Sequence, residues 1–230
     1  MGTTLPQMCP TVSQMYGGFT LETAWPNAWE SMSTMADCLM MFLDYQPDAP
    51  TSTIHLAPKL PTGWNTISYR NISVVPGRAI DVTCSESPSI YSDTFTNRSG
   101  GTVNYDTYIR VPAGTTIAAV KQDGTPTSYT LDTTAWRVHV TGTINSATGS
   151  TTVVSAIVSV PGDLNTDGVV DAADLDAFSV CATGPNLGPV TGNCTKVDFD
   201  GDTDVDSADF AVFQRCLAPT PQQVNLNCAN

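Results

Sequence analysis

An acidic segment repeats itself in the last third of the chain. DLNTDGVVDAADLDAFSVC (163–181) aligns with DFDGDTDVDSADFAVFQRC (198–216) at an offset of 35, with eight identities in nineteen positions. Self-similarity at such a period marks two copies of one supersecondary unit that bury a shared core. Charge narrows the choice further. Residues 161–230 hold eleven acids and two bases, whereas residues 1–160 hold eleven and seven. All eleven C-terminal acids lie between Asp163 and Asp209, and such a block repels itself unless a cation sits within it. The net charge of -13 over 230 residues excludes a nucleic-acid binder that works by neutralising phosphates. No apolar run of about 18 residues occurs, so no membrane span is expected. The start MGTTLPQMCP has neither a basic region nor an apolar stretch, so no signal peptide is expected within it.

The spacing of the acids is that of an EF-hand loop, which holds calcium through oxygens at positions 1, 3, 5, 7, 9 and 12. The first copy supplies Asp163, Asn165, Asp167, the carbonyl of Val169, Asp171 and Asp174, with Gly168 at the sharp sixth position. The second supplies Asp198, Asp200, Asp202, the carbonyl of Asp204, Asp206 and Asp209, with Thr203 where glycine is wanted. A positive φ at a β-branched residue is resisted by roughly 1–2 kcal/mol, so the second loop is expected to be strained. Val170 and Val205, at position 8, are expected to pair with each other. Hard oxygen ligands without histidine or paired cysteine favour calcium over zinc or copper. A solvated acidic loop without metal is the bland reading of either copy alone. Two copies in register, each leading into an apolar helix start (Leu175 and Phe178; Phe210, Phe213 and Leu217), favour two calcium sites.

Twin loops, each followed directly by a helix and lacking the helix that precedes a full EF-hand loop, resemble a type I dockerin over residues 161–218. The resemblance implies a calcium-folded module of a secreted polysaccharide-degrading enzyme that binds a cohesin-like protein. It places partner contacts at Ala172, Ala173, Ser179 and Val180 in the first repeat and at Ser207, Ala208, Gln214 and Arg215 in the second. The Ser/Thr pair and basic residues common in the family are mostly absent there, and the offset of 35 is long for it.

Residues 51–160 read as all β. Runs such as WNTISYRNISVV, TVNYDTYIRV and TTVVSAIVSV are rich in β-branched and aromatic residues, and turn signals separate them. Seven or eight antiparallel strands in a sandwich are expected, making the chain mainly β with a small α domain behind it. Residues 1–50 carry one helix, Ala28–Tyr45, too apolar all round to stand alone. The order AWESMSTMADCLMMFLDYQPDA, then HLAPKLPTGWNTISYRNISVVPGRAIDVTC, resembles the end of an (α/α)-barrel glycoside hydrolase running into its C-terminal β-sandwich. That resemblance implies a non-catalytic fragment of a larger enzyme. Residues 219–230 are expected as a tail.

Each repeat ends in a cysteine followed by a short Pro-containing loop and an Asn-Cys pair, favouring bridges Cys181–Cys194 and Cys216–Cys228. Four cysteines allow three connectivities, so the others stay open. Cys9, Cys38 and Cys84 remain. Bridges of this kind imply an oxidising, secreted setting. Two further readings are carried. A carbohydrate-binding sandwich would grip polysaccharide through Tyr69, Tyr105, Tyr108 or Trp136. A small hydrolase would use Glu22 or Glu30, which flank Trp25 and Trp29, although a capping Glu and core tryptophans are the simpler account. His55 and His139 sit inside strand-like runs, where a structural role is expected.

Overall fold

The computed structural model describes residues 42–229. Most of the predicted helix lies outside them, as do Cys9, Glu22, Trp25, Trp29, Glu30 and Cys38, while Phe42 and Leu43 are helical. No helix among the described residues is long and apolar enough to cross a membrane.

Among the described residues, eleven strands build two sheets. One contains β1 (Gln46–Asp48), β2 (Thr53–Leu56), β6 (Val103–Arg110), β10 (Arg137–Ile144) and β9 (Thr130–Asp132), in that order across the sheet. The other runs β3 (Thr66–Val75), β4 (Arg78–Glu86), β5 (Ile90–Asn97), β11 (Thr151–Val158), β7 (Ile117–Gln122) and β8 (Thr125–Pro126). All pairings are antiparallel except β2 with β6, which is parallel. The count exceeds the seven or eight expected because β1, β8 and β9 are edge pieces of two or three residues, too short to show a period of two. β1 also begins before residue 51 and carries Pro47, which an edge strand tolerates.

The sandwich is held by alternation. In β5 the residues Tyr91, Asp93, Phe95 and Asn97 point inward, and in β6 Val103, Tyr105, Thr107 and Ile109 do. Phe95 stacks on Tyr105 at 5.1 Å between centroids, amid Ile54, Ile80, Val82, Val138 and Val154. Gly142 lies opposite Tyr105 in β10, and a Cβ there would sit 2.4 Å from the phenol oxygen, so only glycine admits this ring. Asp93 is a carboxyl among the buried polar residues of the sandwich, with Asn97, Thr107 and Thr152. It is 2 % exposed and accepts a 2.6 Å hydrogen bond from Thr107, and burial pushes its carboxyl up.

Two helices follow the sandwich, α1 (Ala172–Cys181) and α2 (Ser207–Cys216), around a second apolar cluster of Val170, Phe178, Val205, Phe213 and Val224. Rings of Phe178, Phe210 and Phe213 pack together, with centroids 5.0–6.5 Å apart. Disulfides join Cys181 to Cys194 and Cys216 to Cys228, so the segment after each helix is pinned to that helix's end. Residues beyond 218 fold back into this cluster, with Val224 and Cys228 buried. Cys84 is a buried free thiol.

The expected pairing of Val170 with Val205 does not form. Val170 pairs instead with Ala218, while the Val205 carbonyl accepts from Thr183 and Gly184. Ala218 and Thr183 each lie two residues past the cysteine that ends a helix, so the two contacts are equivalent under exchange of the repeats. Each loop pairs with the chain leaving the other helix, and that returning strand occupies the place where the two loops would have met.

Candidate metal centre

Both loops are organised by their own carboxylates, in one pattern repeated at an offset of 35. Gly168 N–H donates to Asp163 Oδ2 at 2.9 Å, and Thr203 N–H to Asp198 Oδ2 at 3.1 Å. Val169 N–H donates to Asp167 Oδ1 and Asp204 N–H to Asp202 Oδ1, at 3.0 and 3.1 Å. Asp174 accepts from Leu164 and Asp171, just as Asp209 accepts from Phe199 and Asp206. Asp171 and Asp206 are N-caps whose side chains accept from Ala173 and Ala208, and Asp174 and Asp209 close the capping boxes. The position-12 acids therefore serve the helix termini as well as the loops, where the helix dipole favours negative charge.

These bonds aim oxygens inward. Carboxylate oxygens of Asp163, Asp167 and Asp174 lie within 4.8 Å of one another, as do those of Asp198, Asp200 and Asp202. A third group, Asp204, Asp206 and Asp209, meets the same limit. Asn165 sits in the first loop with its amide donating to Asp167 Oδ2 at 2.9 Å. Among the described residues no lysine or arginine forms an ion pair with any of these acids. Burial pushes the Asp163 carboxyl up to about 6, with Asp174 and Asp167 adding to the shift and the Gly168 and Asp167 amides opposing it. The donor set is all hard oxygen, from crowded acids on turns of fixed shape, and it suits a divalent cation of the calcium kind.

The sixth positions differ as the sequence suggests. Gly168 has φ +92° and Thr203 has φ +79°. The seventh positions also differ. Val169 is half-buried, whereas the Asp204 side chain is 2 % exposed, accepts from Asn186 N–H through Oδ2, and leaves Oδ1 buried without a hydrogen-bond partner. Only the carbonyl of Asp204 is a ligand in the loop pattern, so its carboxylate is an acid the spacing did not assign.

The positions expected to meet a partner, Ala172, Ala173, Ser179, Val180, Ser207, Ala208, Gln214 and Arg215, are all exposed. Val180 is 84 % exposed, an apolar side chain left in solvent.

The first loop is also joined to the sandwich. Ser89 Oγ donates to the Gly168 carbonyl at 2.5 Å, and Lys121 Nζ donates to the Thr166 carbonyl at 2.7 Å. Gly168 lies so close to Ile90 and Ile157 that a Cβ would come within 2.6 Å of the former.

The expected aromatic face on the sandwich does not exist as a row. Tyr105 is 1 % exposed and donates to Gln122 at 2.7 Å; Tyr108 stacks on His139; Tyr69 and Trp136 pack against the core. What the sequence did not show is a cluster on that sheet. Asp106 Oδ2 meets His55 Nδ1 at 2.8 Å and Asp106 Oδ1 meets His139 Nε2 at 2.6 Å. The register of β2, β6 and β10 creates this cluster from residues 51 and 33 positions apart in sequence.

No protein-family model and no curated protein matches the chain. Among solved structures it is similar to an α-L-rhamnosidase from Dictyoglumus thermophilum, at TM-score 0.39 and 7 % identity over 55 % of this chain and 14 % of that one. It is also similar to a GH127 β-L-arabinofuranosidase from Geobacillus stearothermophilus T6, at TM-score 0.32 and 11 % identity over 60 % of this chain and 19 % of that one. The chain thus spans less than a fifth of either protein.

Proposed function

We propose that the chain is the non-catalytic, C-terminal part of a secreted polysaccharide-degrading enzyme, ending in a dockerin-like module that holds two calcium ions and attaches the enzyme to a cohesin-like protein. The observation that carries the calcium reading is the repeated scaffold of backbone N–H donors that turns Asp163, Asp167 and Asp174, and likewise Asp198, Asp200 and Asp202, toward common centres. Hydrogen-bonded but otherwise unneutralised acids of this kind gain from a divalent ion. Attachment is supported by the exposed helix-face residues beside the loops, Val180 above all. The enzymatic setting rests on the sequence resemblance of the helix-to-sandwich order, and the two disulfides suit an extracellular setting.

Calorimetric titration of chelator-treated protein with calcium tests the central claim, with helix content followed by circular dichroism. Two ions should bind. Asp167→Ala and Asp202→Ala, one exposed position in each loop, should each reduce the stoichiometry to one ion. No heat of binding in the unmodified protein would refute the proposal.

A further inference from the structure

Polar groups that the sandwich leaves unused converge at one end of it. Glu86 closes β4, Tyr91 is the second residue of β5, Arg110 closes β6 and Trp136 precedes β10, and together with Leu60 they line a cavity of about 330 Å³. A second depression of about 350 Å³ shares Glu86 and Tyr91 and adds Asn65 and Gln222. Glu86 and Tyr91 line both, and the two adjoining depressions are taken together as one trough.

Among the described residues, the Glu86 carboxylate, Arg110 guanidinium, Tyr91 hydroxyl and Trp136 indole N–H take part in no hydrogen bond or ion pair. Glu86 is half-buried with the exposed Arg110 near enough for its charge to act on the Glu86 carboxyl, and the Tyr91 ring is buried while its hydroxyl still reaches solvent. Polar groups that converge in a depression beside an apolar wall are the usual form of a ligand pocket. Trp136 is held at φ +51°, a conformation that a non-glycine residue adopts rarely.

The mixture of groups selects the ligand by elimination. A cation would face Arg110, and an anion would face Glu86. An apolar molecule would seal four polar groups away from water with nothing to bond. A neutral polyol ring supplies hydroxyls that donate to Glu86 and accept from Arg110, Tyr91 and the indole N–H, while its C–H face covers the aromatic and aliphatic wall. We propose that this trough binds neutral sugar units of a glycan, with Glu86 and Arg110 as the polar anchors and Trp136 as the apolar one. The proposal deepens the reading of the chain as part of a polysaccharide-degrading enzyme, and it does not depend on the metal loops.

The test is a titration of the full, isotope-labelled chain with cellohexaose, xylohexaose, maltohexaose and arabinohexaose, each taken to about 10 mM, well past a millimolar Kd. Amide shifts are read both with calcium and after chelation, so loss of the metal reading is distinguishable from loss of this one. At least one glycan should shift the amides around residues 86, 91, 110 and 136 in both conditions. Trp136→Ala and Glu86→Gln should each weaken that binding about tenfold, a loss of about 1.4 kcal/mol. Their amide spectra away from the trough should be unchanged, and Glu86→Gln keeps the local shape should Trp136→Ala disturb it. The proposal is overturned by no shifts with any of the four glycans, by shifts that survive both substitutions, or by tighter binding of a galacturonate oligomer than of every neutral one.

Discussion

Replacing Thr203 by glycine should stabilise the protein. Thr203 sits at φ +79° in the second loop, where its counterpart in the first is Gly168. A left-handed conformation penalises an L-residue by about 1–2 kcal/mol, and β-branching places threonine among the residues that resist it most. Glycine in its place brings a looser unfolded chain, which returns about 0.4–1 kcal/mol. Little else changes. The Thr203 side chain is exposed, and the two bonds that fix its backbone, N–H to Asp198 and carbonyl from Val190, do not involve the hydroxyl. The net gain is about 0.5–1 kcal/mol, or a rise of about 1–4 °C in Tm for a chain of this length. Thermal and urea denaturation of Thr203→Gly and Thr203→Asn, in chelator and in calcium, would measure it. Asparagine tolerates the left-handed region and should give a smaller rise. A rise in chelator means the strained loop is formed before metal binds; a rise seen only in calcium means that the ion imposes the strain. If both variants melt at or below the unmodified protein in both conditions, the strain argument is wrong.

Other expectations are independent of that one. Gly168→Ala should destabilise by about 2–4 kcal/mol in denaturant titration, since it combines the left-handed penalty with a Cβ 2.6 Å from Ile90 and 2.9 Å from another of its carbons. Asp93→Asn should stabilise near neutral pH by on the order of 1 kcal/mol, because it removes a buried charge while keeping the bond from Thr107. The Asp93 carboxyl is raised above its ordinary value of 3.8, so its burden is full above the folded pKa and is relieved as pH falls from there to 3.8; Tm measured against pH should show the two proteins converging in acid. Cys228→Ser opens a bridge spanning 12 residues and should lower stability by about 3 kcal/mol in the same assays, loosening Val224 and Val170 together.

The sandwich was legible because its strands alternate. β5 and β6 place every second residue inside, and the β-branched runs gave their positions. Strand order was not legible, since no periodicity says that β2 runs parallel to β6 or that β11 lies between β5 and β7. The Asp106 cluster was hidden for that reason. His55, Asp106 and His139 sit in unremarkable strand positions and become neighbours only through register. The trough was hidden too, because Glu86, Tyr91, Arg110 and Trp136 come from four separate strand ends. In the acidic module the duplication made the loops and the local bridges readable. It misled on one point, since equal spacing suggested that Val170 and Val205 meet, whereas the chain returning from each helix takes that place.

Sequence equivalence of the two loops does not make them mechanically equivalent. The first rests on the sandwich, with its Gly168 and Thr166 carbonyls held by Ser89 and Lys121 and its glycine against Ile90 and Ile157. A lysine ammonium thus stands beside the loop with four carboxylates, Asp163, Asp167, Asp171 and Asp174. The second rests on the segment between the repeats, through Asn186 to Asp204 and Val190 to Thr203. It carries six carboxylates, one with a buried unbonded oxygen, and a strained residue at its sharpest turn. Repulsion rises with the number of like charges and is relieved by nearby cations. The first loop is therefore braced by a rigid sheet and partly compensated by it, while the second depends on its own linker. If the proposed ions bind, a divalent ion has more to neutralise in the second loop and more structure to hold there, so circular dichroism on chelation should show that half of the module loosening first.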